Sequence, residues 1–289
     1  MNYFFLIDKP IGITSFDVIR KLRKKLNIKK MGHTGTLDPL ATGGLLIATG
    51  VYTKLIPYFE KDTKEYEFSV KFDGKTDSFD LATEVNFLDE KTLEKAKKTI
   101  TKEYLEDILK NKFTGKIKQL PPKYSALKIS GKKAVDLVRE GKEVELKKRE
   151  CEIFSIKIID FSFPLVSFKA KVSAGTYIRS IAAELGEELK TGGYVTNLRR
   201  SKIGNLDISL STNLESLEKT NSLFVTKLFP KDYFITLPDN TLEKINNGLP
   251  VFGDFDFKIG KNLFVFDGKQ ITNVVFYDGE KLLAKRKIV

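Results

Sequence analysis

The sequence predicts an α+β fold: a mixed, largely antiparallel central sheet flanked by helices, with a small β-rich unit after it. Strand-like runs and apolar stripes of helical period are interspersed, without the regular strand–helix–strand order that builds a parallel sheet. The run KEYEFSVKF at 64–72 alternates apolar and polar residues, as a half-buried strand does. From about Thr236 the character changes to brief strands around one short helix. With 289 residues, 41% hydrophobic and 30% charged, the chain can bury a large core and a second, smaller one.

Taken in order, residues 3–7 read as a first strand. Thr14 or Ser15 can cap a helix with Asp17 in its first turn, Phe16, Ile19, Leu22 and Leu26 on one side, and a basic C-terminal end that suits the helix dipole. Next comes GHTGTLDPLATGGLLIATG at 32–50, which holds the single histidine, His33, and a lone carboxylate, Asp38. Its glycines allow positive φ and close approach to a ligand, and Pro39 biases Asp38 away from helical geometry. Residues 45–48 read as a buried strand, 64–72 as the strand with Tyr66 on its apolar face, and about 92–112 as a lysine-rich helical stretch. Residues 119–145, with two prolines, a short strand and a helix ended by Gly141, suggest a projecting insertion.

Strands at about 150–163 and 165–173 follow, then GTYIRSIAAELGEEL with a helical stripe of Ile178, Ile181, Ala182 and Leu185. TGGYVTNLRRSKIG reads as a turn and a strand. The tail offers a helix at 242–247 and strands around 263–266, 271–276 and 282–287. The expected division is therefore 1–235 and 236–289.

Charge points to the partner. Fifty basic against 38 acidic residues give +12, an excess that suits a polyanion. It is concentrated at Arg20, Lys21, Arg23, Lys24, Lys25, Lys29 and Lys30, directly before the glycine loop, with smaller clusters at 147–149, 199–202 and 285–287. No run approaches the roughly 18 apolar residues of a membrane span. The start, MNYFFLIDKPIG, lacks the parts of a signal peptide, so a cytoplasmic protein is expected.

Cys151 is the single cysteine, so neither an intrachain disulfide nor a Cys/His zinc set can form. A carboxylate-bound Mg²⁺ stays compatible with the composition. The chain contains no Walker motif, GxGxxG, GxSxG or HExxH. Chemistry here has to run on a carboxylate, and Asp38 is the candidate. Tyr177 and Arg179 lie at a strand-to-helix junction after Gly175, where side chains tend to face a cleft.

In order and spacing, seven segments resemble the bacterial tRNA pseudouridine-55 synthases: DKPIGITSFDVIRKLRKKL at 8–26, GHTGTLDPLATGGLLIATG at 32–50, TKLIPYF at 53–59, KEYEF at 64–68, QLPPKYSALKISG at 119–131, GTYIRSIAAELG at 175–186 and YVTNLRRSKIG at 194–204. The resemblance implies a pseudouridine synthase fold and isomerisation of uridine 55 in the TΨC loop of tRNA by base flipping, without a cofactor. It makes Asp38 the catalytic aspartate and Arg179 its partner, expected to lower the carboxylate pKa. Addition of Asp38 to the ribose, addition to the uracil ring and assisted elimination to a glycal all stay open.

By the same resemblance Tyr66 stacks on the flipped base and is a candidate for handling the proton at carbon. Tyr177 and Leu198 help form the pocket, His33 helps extrude the base or fills the space it leaves, and Lys9 with Pro10 shapes the site wall. Phosphates are expected on Arg20, Lys21, Arg23, Lys24, Lys29, Lys30, Arg199 and Arg200. The insertion would close over the tRNA arm, and the C-terminal unit resembles a small PUA-type RNA-binding domain. A monomer with no obligatory protein partner is expected. Val135, Thr83 and Leu206 stand where an aromatic residue, a glycine and a phenylalanine are frequent in that family. The competing readings are an RNA-guided synthase and a tRNA-folding chaperone whose catalysis is secondary.

Overall fold

The computed structural model describes residues 2–59, 63–129 and 131–289. Its main sheet has ten strands. Across it run Thr212–Asn213, Phe4–Lys9, Ala41–Thr49, Tyr194–Ile203, Lys64–Lys71, Leu165–Val172, Arg149–Ser162 and Gly115–Gln119. Met31–His33 pairs with Ala41–Thr49, and Leu206–Asp207 with Tyr194–Ile203. Phe4–Lys9 with Thr212–Asn213 and Ala41–Thr49 with Tyr194–Ile203 are parallel, and the other pairings antiparallel. The mixed, largely antiparallel sheet expected from the sequence is the one present.

The first helix, Ser15–Leu26, begins with a capping box: Asp17 N donates to Thr14 Oγ1 at 3.0 Å and Thr14 N to Asp17 Oδ2 at 2.9 Å. Thr14 is thus the cap. Ser15 does something else: its hydroxyl accepts from Leu37 N at 2.8 Å and donates to Leu37 O at 3.1 Å, stapling the helix start to the loop before Asp38. Val18, Ile19, Leu22 and Leu26 are buried against the sheet, whereas Phe16 is 59% exposed. The expectation for Phe16 fails because it sits about 100° round the helix from the centre of the stripe that includes Val18.

The single helical stretch expected at 92–112 is two helices, Glu90–Thr99 and Lys102–Lys112. The break falls in the β-branched run Thr99, Ile100 and Thr101. Ile100 is extended and buried, and Thr101 caps the second helix by accepting from Tyr104 N.

The strand after the glycine loop starts earlier than expected, at Ala41, because Gly43 allows a backbone approach no other residue would. With φ at +102°, a Cβ there would lie 2.3 Å from the Arg200 carbonyl oxygen on the parallel neighbour. Gly43→Ala is expected to destabilise the fold by more than about 3 kcal/mol, read as a fall in the thermal or urea midpoint. An unchanged midpoint would contradict this packing.

One face of the sheet's first half buries Phe5, Ile7, Leu45 and Ile47 under the first helix. The second half packs Phe68, Val70, Phe168 and Ala170 against Ile181 and Leu185 of the Ile178–Glu188 helix and Leu105 and Leu109 of the Lys102–Lys112 helix. A separate five-stranded sheet runs Phe234–Ile235, Lys261–Phe266, Ile271–Tyr277, Lys281–Lys287 and Val251–Phe252, with helix Asp239–Asn246 beside it. Its first strand lies just before residue 236. Phe264, Ile271 and Val274 of that sheet share a core with Phe4, Tyr52 and Phe59, so the two sheets are joined by apolar packing. Leu206 is buried in this cluster, filling the place expected for phenylalanine. No helix among the described residues is long and apolar enough to cross a membrane.

Candidate active site

Asp38 sits on a loop held from one side by the segment 9–15. Gly12 N donates to Pro39 O at 2.8 Å, Ser15 staples Leu37, and Ala41 N closes the turn onto Asp38 O at 3.0 Å. Lys9 is fully buried and donates through Nζ to Pro10 O, Ile13 O and Pro39 O at 2.9, 2.7 and 3.4 Å. Burial pulls its pKa down to about 8 against the opposing pull of Asp38. The loop is therefore rigid where the carboxylate leaves it.

Arg179, in the first turn of the Ile178–Glu188 helix, faces Asp38. Its side chain is 4% exposed and its Nε lies 3.0 Å from Asp38 Oδ2, an ion pair whose N–H is not aimed along a hydrogen bond. The rest of the guanidinium is committed: Nη1 donates to Ser78 O and Nη2 to Tyr124 O, both at 2.9 Å, and Nη1 is 3.5 Å from Asp80 Oδ2. Asp80 is itself oriented by Ser78 Oγ at 2.6 Å and Ala82 N at 2.9 Å. Thr83, at the position expected for glycine, accepts from Ser78 N and shares a hydrogen bond with the Ser78 hydroxyl, tightening this turn.

One arginine serves two carboxylates here, which corrects the expected pKa. Burial pushes Asp38 above the usual carboxylate range, Arg179 draws it back, and Asp80 adds to the rise, so the net shift is upward. The Asp38 side chain keeps 33% of its surface open, toward a cavity of about 370 Å³. That volume accommodates a nucleoside-sized ligand.

Tyr66, Tyr177, Leu198, Asp38 and Arg179 all line this cavity, as does Arg200, so the structure brings together six of the residues singled out in the sequence. Tyr66 and Leu198 come from the adjacent strands Lys64–Lys71 and Tyr194–Ile203. The Tyr177 backbone is gripped by Gln119, whose Oε1 accepts from Tyr177 N at 2.7 Å and whose Nε2 donates to Tyr177 O at 3.0 Å. Ser180 Oγ donates to Leu120 O at 2.7 Å. Together with the Arg179–Tyr124 bond, these contacts anchor the root of the insertion to the helix that carries Arg179.

Other placements correct the expectations. Lys9 and Pro10 are not among the cavity-lining residues: Lys9 braces the loop from behind and Pro10 is exposed outside it. His33 is half-buried on Met31–His33, outside the cavity lining. Its Nδ1 accepts from Gly35 N at 3.3 Å, and burial, helped by Arg200, holds its pKa below the usual range. Arg200 is 2% exposed and donates to Gly44 O at 2.7 Å and Gly35 O at 3.1 Å, so it braces the glycine loop and cannot serve as a surface phosphate contact. Arg199 is engaged in a two-point pair with Asp8 at 2.6 and 3.0 Å, and a phosphate there has to compete with that carboxylate. By contrast Arg20, Lys21, Arg23, Lys24, Lys29 and Lys30 are exposed, with Arg20 paired to Asp17 and Arg23 over the Phe16 ring.

Sequence reasoning missed Asp80, Gln119 and the cavity hydroxyls of Thr34 and Ser125. Thr34, Gln119 and Ser125 lie inside segments quoted for the resemblance and Asp80 lies outside them, but nothing in a linear string shows that they converge on Arg179 or the cavity.

Residues 23–178 match the description "TruB family pseudouridylate synthase (N terminal domain)". The chain belongs to the TruB family. Two relatives in it are the tRNA pseudouridine synthase B of Geobacter sulfurreducens, 39% identical over 86% of this chain and 83% of that protein, and that of Aquifex aeolicus, 36% identical over 98% and 91%. Among solved structures, a chain of a Cbf5-Nop10-Gar1 complex superposes with a TM-score of 0.69 at 20% identity, covering 99% of this chain and 85% of that one. The TruB-family fold, a pseudouridine synthase sheet followed by a small β-rich unit, is thus the fold of this chain, and its activity is that of an isomerase.

Proposed function

We propose that this TruB-family chain isomerises uridine 55 in the TΨC loop of tRNA, flipping the base into the Asp38 cavity. The observation that carries the reading is a carboxylate ion-paired with a buried arginine at a nucleoside-sized cavity that also presents the Tyr66 ring. The relatives named tRNA pseudouridine synthase B support tRNA as the substrate. Uridine and pseudouridine are isomers: the C1′–N1 bond breaks, C1′–C5 forms, C5 loses a proton and N1 ends with one. That balance needs no oxidant, reductant or nucleotide cofactor. Asp38 is the group that acts on the nucleoside during bond exchange, as a carboxylate does in glycoside chemistry. Tyr66 replaces the stacking the base loses on leaving the RNA.

In this reading the exposed cations of Ser15–Leu26 and the residues after it hold phosphates, the insertion closes over the arm, and residues from about 236 form a PUA-like RNA-binding unit. His33 assists extrusion from the rim. The protein works alone, as a cytoplasmic monomer.

Purified chain incubated with an unmodified tRNA transcript, followed by mapping of pseudouridine, tests the proposal. Modification at the T-loop uridine alone, without guide RNA or a second protein, is the expected result. A requirement for a guide, or tight binding without modification, would move the reading to the guided or chaperone alternative. The affinity should also fall steeply with salt, with a log–log slope of about −4 to −5 if all six exposed cations engage phosphates. Lys24→Ala should reduce the slope by about 1, and a salt-independent affinity would contradict the basic platform.

A further inference from the structure

Three side-chain hydroxyls among the described residues are buried with no hydrogen-bond partner, those of Thr34, Ser125 and Ser201, and two of the three belong to residues lining the Asp38 cavity. Thr34 is 4% and Ser125 3% exposed. A sealed hydroxyl with no partner costs about 1–3 kcal/mol, and neither is forced into its place by lack of backbone support. Thr34 N donates to Leu46 O at 3.1 Å, and Ser125 O accepts from Val135 N at 3.1 Å. The two come from different parts of the chain, Thr34 from the glycine loop and Ser125 from the anchored root of the insertion next to Tyr124. Two unsatisfied donors on separate segments of one cavity are what a site looks like before the molecule that completes it arrives.

We propose that Thr34 and Ser125 are positioning residues that hold the polar edge of the uracil, each hydroxyl donating to one of its two ring carbonyls. This rests on the reading that a uridine enters the cavity. The chemistry of the base favours this edge over a phosphate. Phosphates have exposed cations available on the first helix, whereas Thr34 and Ser125 line the cavity with their oxygens sealed, and a χ1 step at each would turn its oxygen inward.

The edge also has a symmetry the reaction needs. Once C1′–N1 is broken, the base must turn to bring C5 where N1 was. Rotation about the N3–C6 axis exchanges O2 with O4 and leaves N3–H in place. A pair of donors matched to the two carbonyls therefore fits the base before and after the turn, and keeps the detached base from leaving. The donor pair need not rearrange between substrate and product.

The test compares wild type with Thr34→Val and Ser125→Ala on a T-arm stem-loop RNA carrying uridine, pseudouridine or an abasic site at the target position. Each variant is expected to bind the uridine and pseudouridine RNAs about 3- to 10-fold more weakly, the worth of one hydrogen bond. Abasic RNA should bind as it does to wild type. Single-turnover isomerisation should slow at least as much. Thr34→Ser and Ser125→Thr, which keep the hydroxyl, should restore both, and thermal midpoints should be unchanged or raised, since an unsatisfied buried group has been removed.

Equal weakening on abasic RNA would overturn the proposal, as would no weakening on uridine RNA, or a lowered midpoint with unchanged base-dependent binding. If wild type instead modifies a different tRNA uridine, the T-loop assignment fails, and the same three-RNA comparison on that site still decides the role of the hydroxyls.

Discussion

Replacing Asp38 with asparagine is expected to abolish isomerisation while RNA binding survives. The side chains are nearly isosteric and the loop contacts that hold position 38 are made by Pro39, Leu37 and the backbone. Only the charge and nucleophilicity are lost. The single-turnover rate should fall by roughly 10⁴-fold or more, a fraction of the acceleration enzymes typically provide, and RNA affinity should change by less than about threefold, within 0.7 kcal/mol. Stability moves the other way. Because burial lifts the folded pKa above the unfolded value of 3.8, ionising Asp38 weakens the fold as pH rises through that interval. Asparagine removes this penalty, so the thermal midpoint at neutral pH should be equal to or above that of wild type. The same shift should shape the wild-type pH profile: if Asp38 acts as the ionised carboxylate, activity is expected to be lost as pH falls through the raised pKa. The acid limb should therefore lie above the ordinary carboxylate range. An acid limb at or below 3.8 would show that Arg179 outweighs burial.

Arg179→Ala should damage both activity and stability. The guanidinium is buried, satisfies the Ser78 and Tyr124 carbonyls, and separates the charges of Asp38 and Asp80. Its removal leaves two carboxylates and two carbonyls without their cation. The cost expected is about 3–5 kcal/mol, measured by urea unfolding, with a rate loss of at least roughly 10³-fold. Arg179→Lys keeps the charge but lacks the planar fork that reaches several partners at once, so it should recover part of the stability and little of the rate. Arg179→Lys with wild-type kinetics would mean that charge alone suffices and that the contacts to Ser78 and Tyr124 are incidental.

Local patterns were legible because they are written in neighbouring residues. The alternation at 64–72, the helix start at Thr14 or Ser15 with Asp17 in its first turn and the glycine loop around Asp38 each depend on residues within a few positions. What was not legible depends on pairing across the chain. Arg199 and Arg200 are adjacent cations of identical composition, yet strand alternation turns one toward Asp8 and the other inward. There the carbonyls of Gly35 and Gly44, more than 150 residues away in sequence, receive it. Phe16 read as core because its spacing to Ile19 suits a stripe, but Val18 fixes where the stripe's centre lies. Lys9 looked like a wall of the site and is a buried brace, since three backbone carbonyls gather around its Nζ only when the loops at 10–13 and 39 meet. The upward pKa of Asp38 comes first from burial, which the folded chain alone creates, and Asp80, which adds to it, enters the site from a turn whose sequence gives no sign of its destination.

The most direct test of Asp38 as the acting group at a single uridine uses tRNA labelled with tritium at C5 of its uridines. Isomerisation at carbon 5 releases the label to water. Wild-type chain alone should release one tritium per tRNA and stop, and Asp38→Asn at the same concentration should release none while still binding the RNA. Release by Asp38→Asn, or several equivalents from wild type, would contradict the account.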